Sequence, residues 1–186
     1  MARSSDPLPK GRIRGSDLLI FLSLGTHEQP FDRALELVPA LARAEDVVVQ
    51  HGHTRARREL LNVSWLEFVS YEELVALMRR ASTVACHAGV GTIMTALSLG
   101  KIPLVMPRLR ELNEHVDDHQ LQIAAALAKR GLVVSYLPGD DLLESVDAAR
   151  AGHATLGGGG NRLKQAVRAA VEEPLPSRGF PAFGNR

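Results

Sequence analysis

The stretch from Thr83 to Gly100 constrains the fold most, because it passes from strand to loop to helix over a short distance. Residues Thr83–Cys86 are small, β-branched or apolar, which is typical of a strand buried on both faces. His87–Gly91 is too rich in glycine for a regular element, and helical spacing of apolar residues runs from Thr92 until Gly100 ends it. Such a turn directs backbone N–H groups and the positive end of a helix dipole at an anion. We therefore predict that it binds a diphosphate group.

Other glycine motifs fit this turn less well. The dinucleotide-binding pattern Gly-x-Gly-x-x-Gly fails at its third glycine, where the chain has Met94. A P-loop is excluded because no Gly-Lys-Ser/Thr follows. A sharp bend without a ligand is the alternative interpretation. His87 directly before the loop and a second polar cluster downstream favour phosphate binding over a simple bend.

The composition is that of one soluble globular domain. The chain has 186 residues, of which 45% are hydrophobic and 23% are charged, enough for a sizeable core. A net charge of +1 gives no basis for bulk nucleic-acid binding. Cys86 is the single cysteine, which excludes an internal disulfide and fits a reducing compartment. We interpret it as a small buried hydrophobe and not as a reactive thiol.

The sequence contains no predicted export signal or membrane span. Its longest apolar run, Leu18–Leu24, is far shorter than the roughly 20 residues of a spanning helix. The N-terminal residues lack the apolar core of a signal peptide. We therefore expect a cytoplasmic protein, or a peripheral one held at a membrane by another molecule.

Strand and helix patterns alternate along the chain. Short apolar or β-branched runs predict strands at Leu18–Leu24, Val47–Gln50, Trp65–Val69, Thr83–Cys86, Ile102–Met106 and Leu132–Leu137. Apolar residues at helical spacing predict helices at Phe31–Ala44 with a kink at Pro39, Tyr71–Arg80, Thr92–Leu99, Asp118–Arg130, Asp140–Ala151 and Asn161–Glu173. This alternation predicts an α/β fold with one doubly wound, Rossmann-like parallel sheet.

Composition also divides the chain into regions. We predict a disordered leader over residues 1–17, an α/β domain over 18–156, and a hinge with a C-terminal helix over 157–173. Residues 174–186 are predicted to form a flexible tail, because they are polar and contain proline and glycine.

Four polar loops follow predicted strands, namely Gly25–Pro30, His51–His53, His87–Thr92 and Arg108–Gln120. Ligands of doubly wound parallel sheets bind at the carboxyl ends of the strands. We therefore expect these loops to form one composite site.

Metal binding is not predicted. His51 and His53 can share one side of an extended segment, but no third or fourth ligand suggests itself. Asp117 and Asp118 are explained better as a helix cap than as a metal-binding pair.

Three motifs in the right order resemble the sugar-nucleotide-binding half of a GT-B glycosyltransferase, of the family 28 C-terminal type. They are Ser-Leu-Gly-Thr-His-Glu-Gln-Pro-Phe at 23–31, His-Ala-Gly-Val-Gly-Thr-Ile-Met at 87–94 and Glu-His-Val-Asp-Asp-His-Gln-Leu at 114–121. The resemblance covers residues 18–147 and is strongest to catalytic subunits of two-subunit bacterial exopolysaccharide glycosyltransferases. The soluble subunit of the dolichol-linked N-acetylglucosaminyltransferase and the C-terminal half of the lipid II synthase are also similar.

The resemblance implies a UDP-sugar donor that lies across the strand ends. The implied donor-binding residues are Gly25 and Thr26 below the phosphates, Phe68 and Val69 beside the uracil, His87, Ala88, Gly89, Val90, Gly91 and Thr92 around the diphosphate, and His119 and Gln120 at the sugar hydroxyls. The chain departs from the wider superfamily at Thr95, where a ribose-binding glutamate is common. Threonine cannot bridge two ribose hydroxyls as a carboxylate can.

The implied reaction is inverting transfer without a metal or other cofactor. Negative charge on the leaving UDP would be stabilised by the helix N-terminus and His87. A general base must accept the proton of the acceptor hydroxyl. His27 and Glu28 are the first candidates for this base, and Glu114 and His115 are the second choice. In the alternative reading, His27 and Glu28 only orient each other or the donor.

One such domain is half of a GT-B enzyme. The resemblance implies a membrane-associated partner subunit that presents a polyprenyl-diphosphate-linked sugar, which would place the chain at the cytoplasmic face of the inner membrane. The final helix could dock on this partner or pack on its own sheet. The alternatives are a non-catalytic subunit that binds nucleotide sugar or stabilises its partner, and a sugar-nucleotide epimerase, although those enzymes carry two such domains in one chain.

Overall fold

A computed structural model describes residues 18–60, 62–152, 165, 167–169 and 172. The predicted leader and tail, the glycine hinge and much of the predicted final helix lie outside the described residues. Val167, which belongs to that helix, is buried in a core cluster with Ile123 and Leu127. At this position the chain packs on itself.

The described residues form one parallel sheet of six strands. The strands are β1 (Leu19–Ser23), β2 (Asp46–Gln50), β3 (Val63–Leu66), β4 (Thr83–His87), β5 (Leu104–Met106) and β6 (Val134–Ser135). They lie in the order β3-β2-β1-β4-β5-β6, and every pairing is parallel. The chain therefore winds from β1 to one edge, returns, and continues to the other edge. The predicted Rossmann-like α/β fold is confirmed.

Helices connect the strands on both faces of the sheet. They are α1 (Asp32–Glu36), α2 (Val38–Ala44), α3 (Tyr71–Arg80), α4 (Val90–Ser98), α5 (His119–Ala128) and α6 (Leu142–Ala151), with a 3₁₀ turn at Arg110–Leu112. Alternate residues of β1 show the two layers: Ile20 and Leu22 pack with α1, α2 and α6, while Leu19 and Phe21 pack with α3 and α4. A third cluster holds α4 and α5 against β4 and β5. Burial of each large apolar side chain contributes about 1.5–3 kcal/mol.

Two predicted helices differ in detail from the observed ones. The first helix is interrupted near Pro39 as predicted, but it forms two separate helices that meet at Leu37, because Pro39 lacks the N–H that a continuous helix would need there. The helix after the glycine loop begins at Val90 with Gly89 as its N-cap, not at Thr92. Gly91 therefore lies in the first turn of α4, where its N–H has no partner within the helix.

Two predicted strands are also placed differently. The third strand covers Val63–Leu66, so it begins and ends earlier than the predicted Trp65–Val69. Its register pairs Val49 with Trp65, and this register leaves Phe68 and Val69 beyond the strand. The sixth strand is limited to Val134–Ser135, because only these residues pair with β5.

Candidate functional site

The strand-to-helix turn before α4 opens into a cleft at the carboxyl ends of β1, β2 and β4. This first cleft has a volume of about 230 Å³ and is lined by Ser23, Gly25, Thr26, Gln50, Val69, Leu74, His87, Gly89, Gly91 and Thr92. The turn is therefore accessible to a ligand. Loops distant in sequence meet here because the strands are parallel and adjacent.

A second cleft of about 430 Å³ adjoins the first. It is lined by Thr26, His27, Glu28, His87 and Gln120. Thr26 and His87 line both clefts, so the two form one continuous surface. The structure thus brings most of the predicted site residues together.

The His87 ring lies between two glycines. A Cβ atom on Gly25 would lie 2.5 Å from His87 Cε1, and one on Gly89 would lie 2.2 Å from His87 Nε2. Real Cβ atoms do not approach other atoms so closely. Gly25 also has a φ of +77°, in the region that favours glycine. Both positions therefore need glycine to accommodate the histidine ring.

His87 is uncharged at neutral pH. Burial in the cleft wall, together with the positive charge of Arg108, lowers its pKa from 6.5 to about 4. A neutral imidazole can donate one hydrogen bond to a phosphate oxygen, but it does not bring a full positive charge to the site.

Fewer backbone N–H groups of the glycine loop are available to a ligand than the sequence predicts. The Ala88 N–H already donates to Gln120 Oε1 at 3.2 Å, and the Ile93 N–H donates to Gly89 O at 3.0 Å. The N–H groups of Val90, Gly91 and Thr92 form the first turn of α4 and have no partner within the helix. These three amides are available to an anion.

Gln50 is a site residue that the sequence analysis missed. It ends β2, is 3% exposed, and its amide joins two loops. Its Oε1 accepts from Ser23 Oγ at 2.8 Å and Gly25 N at 3.2 Å, while its Nε2 donates to Gly25 O at 2.9 Å and Glu67 O at 3.1 Å. A polar residue at the end of an apolar strand is the signal that could have identified it.

Gln120 connects the glycine loop to the loop after β5. Its Oε1 accepts from the backbone N–H groups of Ala88 and Arg108, each at 3.2 Å. The Nε2 group remains as the donor that the residue can offer to a ligand in the second cleft.

Arg108 begins a loop that the sequence places at the site, but its own role was not predicted. It is 1% exposed, and its guanidinium donates to the backbone oxygens of Leu24, Gln29, Pro30 and Glu114 over 2.7–3.3 Å. Its charge also lies over the ring of Phe31, 4.7 Å from the centroid. Arg108 therefore binds the first loop of the site to the loop after β5.

His27, which lines the second cleft, lies beside two further ionisable residues, His115 and Asp117. The rings of His27 and His115 have centroids 5.0 Å apart. His115 Nδ1 lies 3.0 Å from Asp117 Oδ1, and His27 Nδ1 accepts from the Gln29 N–H at 3.2 Å. Partial burial and the nearby Arg108 charge lower the pKa of His27.

Four of the predicted donor-binding residues line neither cleft, namely Phe68, Ala88, Val90 and His119. The Phe68 side chain is 49% exposed, and its ring centroid lies 5.3 Å from that of His53. His119 is exposed, and its backbone N–H donates to Asp117 Oδ1 at 3.0 Å. The N-cap residue of α5 is Asp118, whose side chain makes no capping hydrogen bond and accepts from the Arg110 N–H instead. Asp117, one residue earlier, satisfies the first N–H of the helix.

Thr95 does not reach the first cleft. Its hydroxyl donates to Gly91 O at 2.9 Å within α4, and the residue is 8% exposed. The position that often carries a ribose-binding glutamate in the wider superfamily is thus occupied by a helix-internal hydrogen bond.

The two histidines considered as metal ligands are separated by their environments. His51 is buried and its Nδ1 contacts Thr54 O at 2.8 Å, whereas His53 is exposed. Across the residues that the structure describes, no group of three His, Cys, Asp or Glu side chains is placed to hold a metal ion. Within the same residues, every helix is too short or too polar to cross a membrane.

Comparison with curated proteins and solved structures agrees with the fold. The UDP-N-acetylglucosamine transferase subunit ALG13 of Yarrowia lipolytica (strain CLIB 122 / E 150) is 34% identical over 88 residues, which is 46% of this chain. The chain covers 42% of the length of that relative. An ALG13 solution structure matches with a TM-score of 0.53 at 16% identity, over 82% of this chain and 96% of the other.

Two larger glycosyltransferase structures share the same architecture. The glycotransferase of kitacinnamycin matches with a TM-score of 0.57 at 20% identity, over 92% of this chain and 44% of its own. SnogD from Streptomyces nogalater matches with a TM-score of 0.52 at 21% identity, over 94% of this chain and 44% of its own. At these identities the matches show the fold alone.

The family model gives the assignment. The model of the glycosyltransferase family 28 C-terminal domain matches residues 19–170, which is most of the chain and includes every loop of both clefts. The chain therefore belongs to the glycosyltransferase family 28 C-terminal domain family.

Proposed function

We propose that this protein is the donor-binding catalytic subunit of a glycosyltransferase that moves a sugar from a UDP-sugar to a polyprenyl-diphosphate-linked acceptor in exopolysaccharide synthesis. The observation that carries the proposal is the first turn of α4 in a member of this family, where Gly91 and Thr92 line an open cleft beside His87 and their N–H groups have no partner within the helix. Such a helix N-terminus binds phosphate through its N–H groups and its dipole.

The two clefts suggest where each part of the donor lies. The diphosphate would contact the amides of Val90, Gly91 and Thr92 and the neutral His87 ring. The uracil would lie toward Val69 in the first cleft, and Phe68 would contact it only after a change of side-chain position. The sugar would occupy the second cleft, where Gln120 Nε2 can donate to a hydroxyl.

The proposed chemistry is a single inverting displacement. The acceptor oxygen attacks the anomeric carbon on the face opposite the diphosphate, and UDP leaves with the electron pair of the broken bond. The dipole of α4 and the hydrogen bond from His87 stabilise the charge that grows on the leaving phosphate. The reaction needs no metal in this proposal, because a helix N-terminus supplies the electrostatic stabilisation.

The acceptor site is proposed to lie on a membrane-associated partner. The larger glycosyltransferases of this fold are more than twice as long as the region that matches, and the curated relative is described as a subunit. A partner that supplies the second half of the enzyme would hold the lipid-linked acceptor over the second cleft.

Calorimetric titration of the purified chain with UDP and ADP tests donor binding. We expect UDP to bind at least about tenfold more tightly than ADP, which corresponds to about 1.4 kcal/mol. Equal affinity for both nucleotides, or no binding of either one even when membranes of the source organism are added, would contradict the proposal.

A transfer assay tests catalysis separately. Purified chain is added to membranes from a strain that lacks the chromosomal copy, together with radiolabelled UDP-sugars tested one at a time. We expect label to enter a lipid-extractable product with one of them. A chain that binds UDP but supports no transfer would instead be a non-catalytic binding subunit.

A further inference from the structure

We propose that His115, oriented by Asp117, is the general base that takes the proton from the acceptor hydroxyl. The inference rests on the proposed transfer reaction. In this step the acceptor oxygen forms a bond with the anomeric carbon and its proton moves to His115 Nε2. The bond between the anomeric carbon and the diphosphate oxygen breaks, and its electron pair leaves with UDP.

The contacts of His115 determine which ring nitrogen carries the proton. Asp117 Oδ1 lies 3.0 Å from His115 Nδ1, and an ionised carboxylate can only accept a hydrogen bond. The longer contact of 3.4 Å from the Asp117 N–H to the same nitrogen is too weak to reverse this assignment. Nδ1 therefore carries the proton, which leaves the Nε2 lone pair to accept another one.

Asp117 is held in its ionised form. The hydrogen bond from the His119 backbone N–H lowers the pKa of Asp117, and the His115 ring lowers it further. The same carboxylate thus caps α5 and orients the imidazole. This pairing of a carboxylate with histidine Nδ1 is the arrangement that holds a catalytic histidine in the tautomer needed for a base.

His27 is oriented in the opposite way. Its Nδ1 accepts a hydrogen bond from the Gln29 N–H at 3.2 Å, so the neutral ring carries its proton on Nε2. A ring in this tautomer has a donor at Nε2, and its one lone pair, on Nδ1, is already used by the Gln29 N–H. His27 is therefore better suited to donating to the diphosphate or the sugar.

The carboxylates near the cleft differ in their availability. Glu114 is 6% exposed, and its carboxylate is held by Arg33 at 3.0 and 2.8 Å and by the Leu109 N–H at 3.0 Å. It is an anchor for the loop and cannot serve as a base. Glu28 is exposed and lines the second cleft, so it is the competing candidate that the experiment must separate from His115.

The position of His115 fits a group that meets the acceptor from outside the donor site. Its ring lies 5.0 Å from that of His27, which lines the second cleft, and its side chain is 17% exposed. An acceptor presented by a partner over this edge would approach His115 and the sugar together.

The transfer assay with membranes from the deletion strain separates a general base from a structural residue. We expect His115→Ala to lower kcat by at least about 100-fold, the usual contribution of a general base, with the Kd for the UDP-sugar unchanged. Added imidazole should restore part of the lost rate, which a merely structural role of His115 would not allow.

Asp117→Asn keeps the capping oxygen and should lower kcat less than His115→Ala does, also without a change in Kd. Glu111→Gln, an exposed change on the same loop, is the control and should leave transfer unaffected.

The outcomes are distinguishable. If wild-type chain transfers sugar and His115→Ala keeps more than about a third of its kcat, the inference is wrong while the proposed function stands. The same holds if Glu28→Gln shows the large loss in kcat without a loss of UDP binding. If wild-type chain transfers no sugar, the proposed function itself fails.

Nitrogen NMR of the ¹⁵N-histidine-labelled full chain tests the tautomers independently of activity. At a pH where both rings are neutral, we expect the proton of His115 on Nδ1 and that of His27 on Nε2. Finding the His115 proton on Nε2 would overturn the inference, even in a chain that is active.

Discussion

His87 determines which residues its neighbours can be, because its ring fills the space that side chains at positions 25 and 89 would need. The glycines of the turn were expected on the grounds of phosphate binding. The structure adds a second cause, since a Cβ at Gly89 would lie 2.2 Å from His87 Nε2, while a Cβ at Gly91 would have nothing within 4 Å. At the scale of single residues, Gly25 and Gly89 accommodate the imidazole, and Gly91 borders the open cleft.

Alanine substitutions separate these two roles. Gly89→Ala should displace the His87 ring and weaken UDP-sugar binding together with the folded state. Gly91→Ala should leave the free energy of unfolding unchanged or raise it by about 0.5–1 kcal/mol, because alanine is favoured over glycine inside a helix. Urea unfolding and calorimetric titration of both variants test this. Equal destabilisation by the two substitutions would contradict the packing argument.

The charge state of His87 predicts how stability depends on pH. Its pKa in the folded chain is about 4, below the ordinary value of 6.5, so its neutral form is the one that the fold favours. This contribution is complete above pH 6.5 and is lost as the pH falls toward 4, at about 1.4 kcal/mol per unit of pKa difference. The free energy of unfolding should therefore fall over this range by more in wild type than in His87→Gln. Urea unfolding of both chains between pH 4 and 7 measures this difference. Equal falls in the free energy of unfolding for wild type and His87→Gln would refute the prediction.

The same residue predicts the pH dependence of donor binding. A bound diphosphate favours protonated imidazole, so the pKa of His87 should rise above 4 in the complex. Affinity for a UDP-sugar should then increase as the pH falls below the pKa of the complex. NMR titration of the His87 ring with and without the ligand measures both pKa values. An unchanged pKa would mean that the diphosphate does not contact His87.

At the scale of elements, side-chain hydrogen bonds to the backbone hold the loops of the site in place. Gln50 connects the loop after β1 to the loop after β3. Gln120 connects the glycine loop to the loop after β5, and Arg108 connects the loop after β5 to the loop after β1. Parallel strands bring these loops to one edge of the sheet. The hydrogen bonds then determine the shape of the clefts.

Removal of the buried Arg108 guanidinium should therefore affect the whole site. Arg108→Met leaves the carbonyl oxygens of Leu24 and Gln29 without this donor, and we expect a loss of about 3 kcal/mol in the free energy of unfolding. Arg110→Met, on the exposed surface of the same loop, should change stability by less than about 0.5 kcal/mol. Urea unfolding of both variants tests the difference. Similar stabilities would show that Arg108 does not hold the loops.

The elements also show what the sequence could predict. The doubly wound parallel sheet follows from the alternation of strand and helix patterns, and the helix within Thr83–Gly100 begins two residues before its predicted start. The roles of Gln50 and Arg108 were missed because their partners include backbone groups from distant loops, which the local sequence does not identify. The occupation of the Ala88 N–H by Gln120 is hidden for the same reason. Periodicity predicts elements, whereas the contacts between loops depend on the three-dimensional arrangement.

At the scale of the molecule, the residues that the structure describes form a single sheet, and the site lies open at the carboxyl ends of its strands. The first and second clefts together offer room for a nucleotide and a sugar, but the described residues close neither from above. Enzymes usually exclude water from such a reaction by covering the site. In the proposed enzyme, the partner subunit would provide this cover along with the acceptor.

This arrangement predicts that donor binding and transfer have different requirements. The purified chain should bind UDP without membranes, because the amides of α4 and the loops that shape the first cleft belong to the chain itself. Transfer of sugar to lipid should require membranes that contain the partner, and it should survive EDTA because no metal takes part in the proposed stabilisation of UDP. Calorimetry and the lipid-transfer assay, each run with and without EDTA, measure both properties. If EDTA abolishes transfer and added Mg²⁺ restores it, the metal-independent mechanism is contradicted. If the chain alone gives full transfer to a purified lipid acceptor, the need for a partner is contradicted.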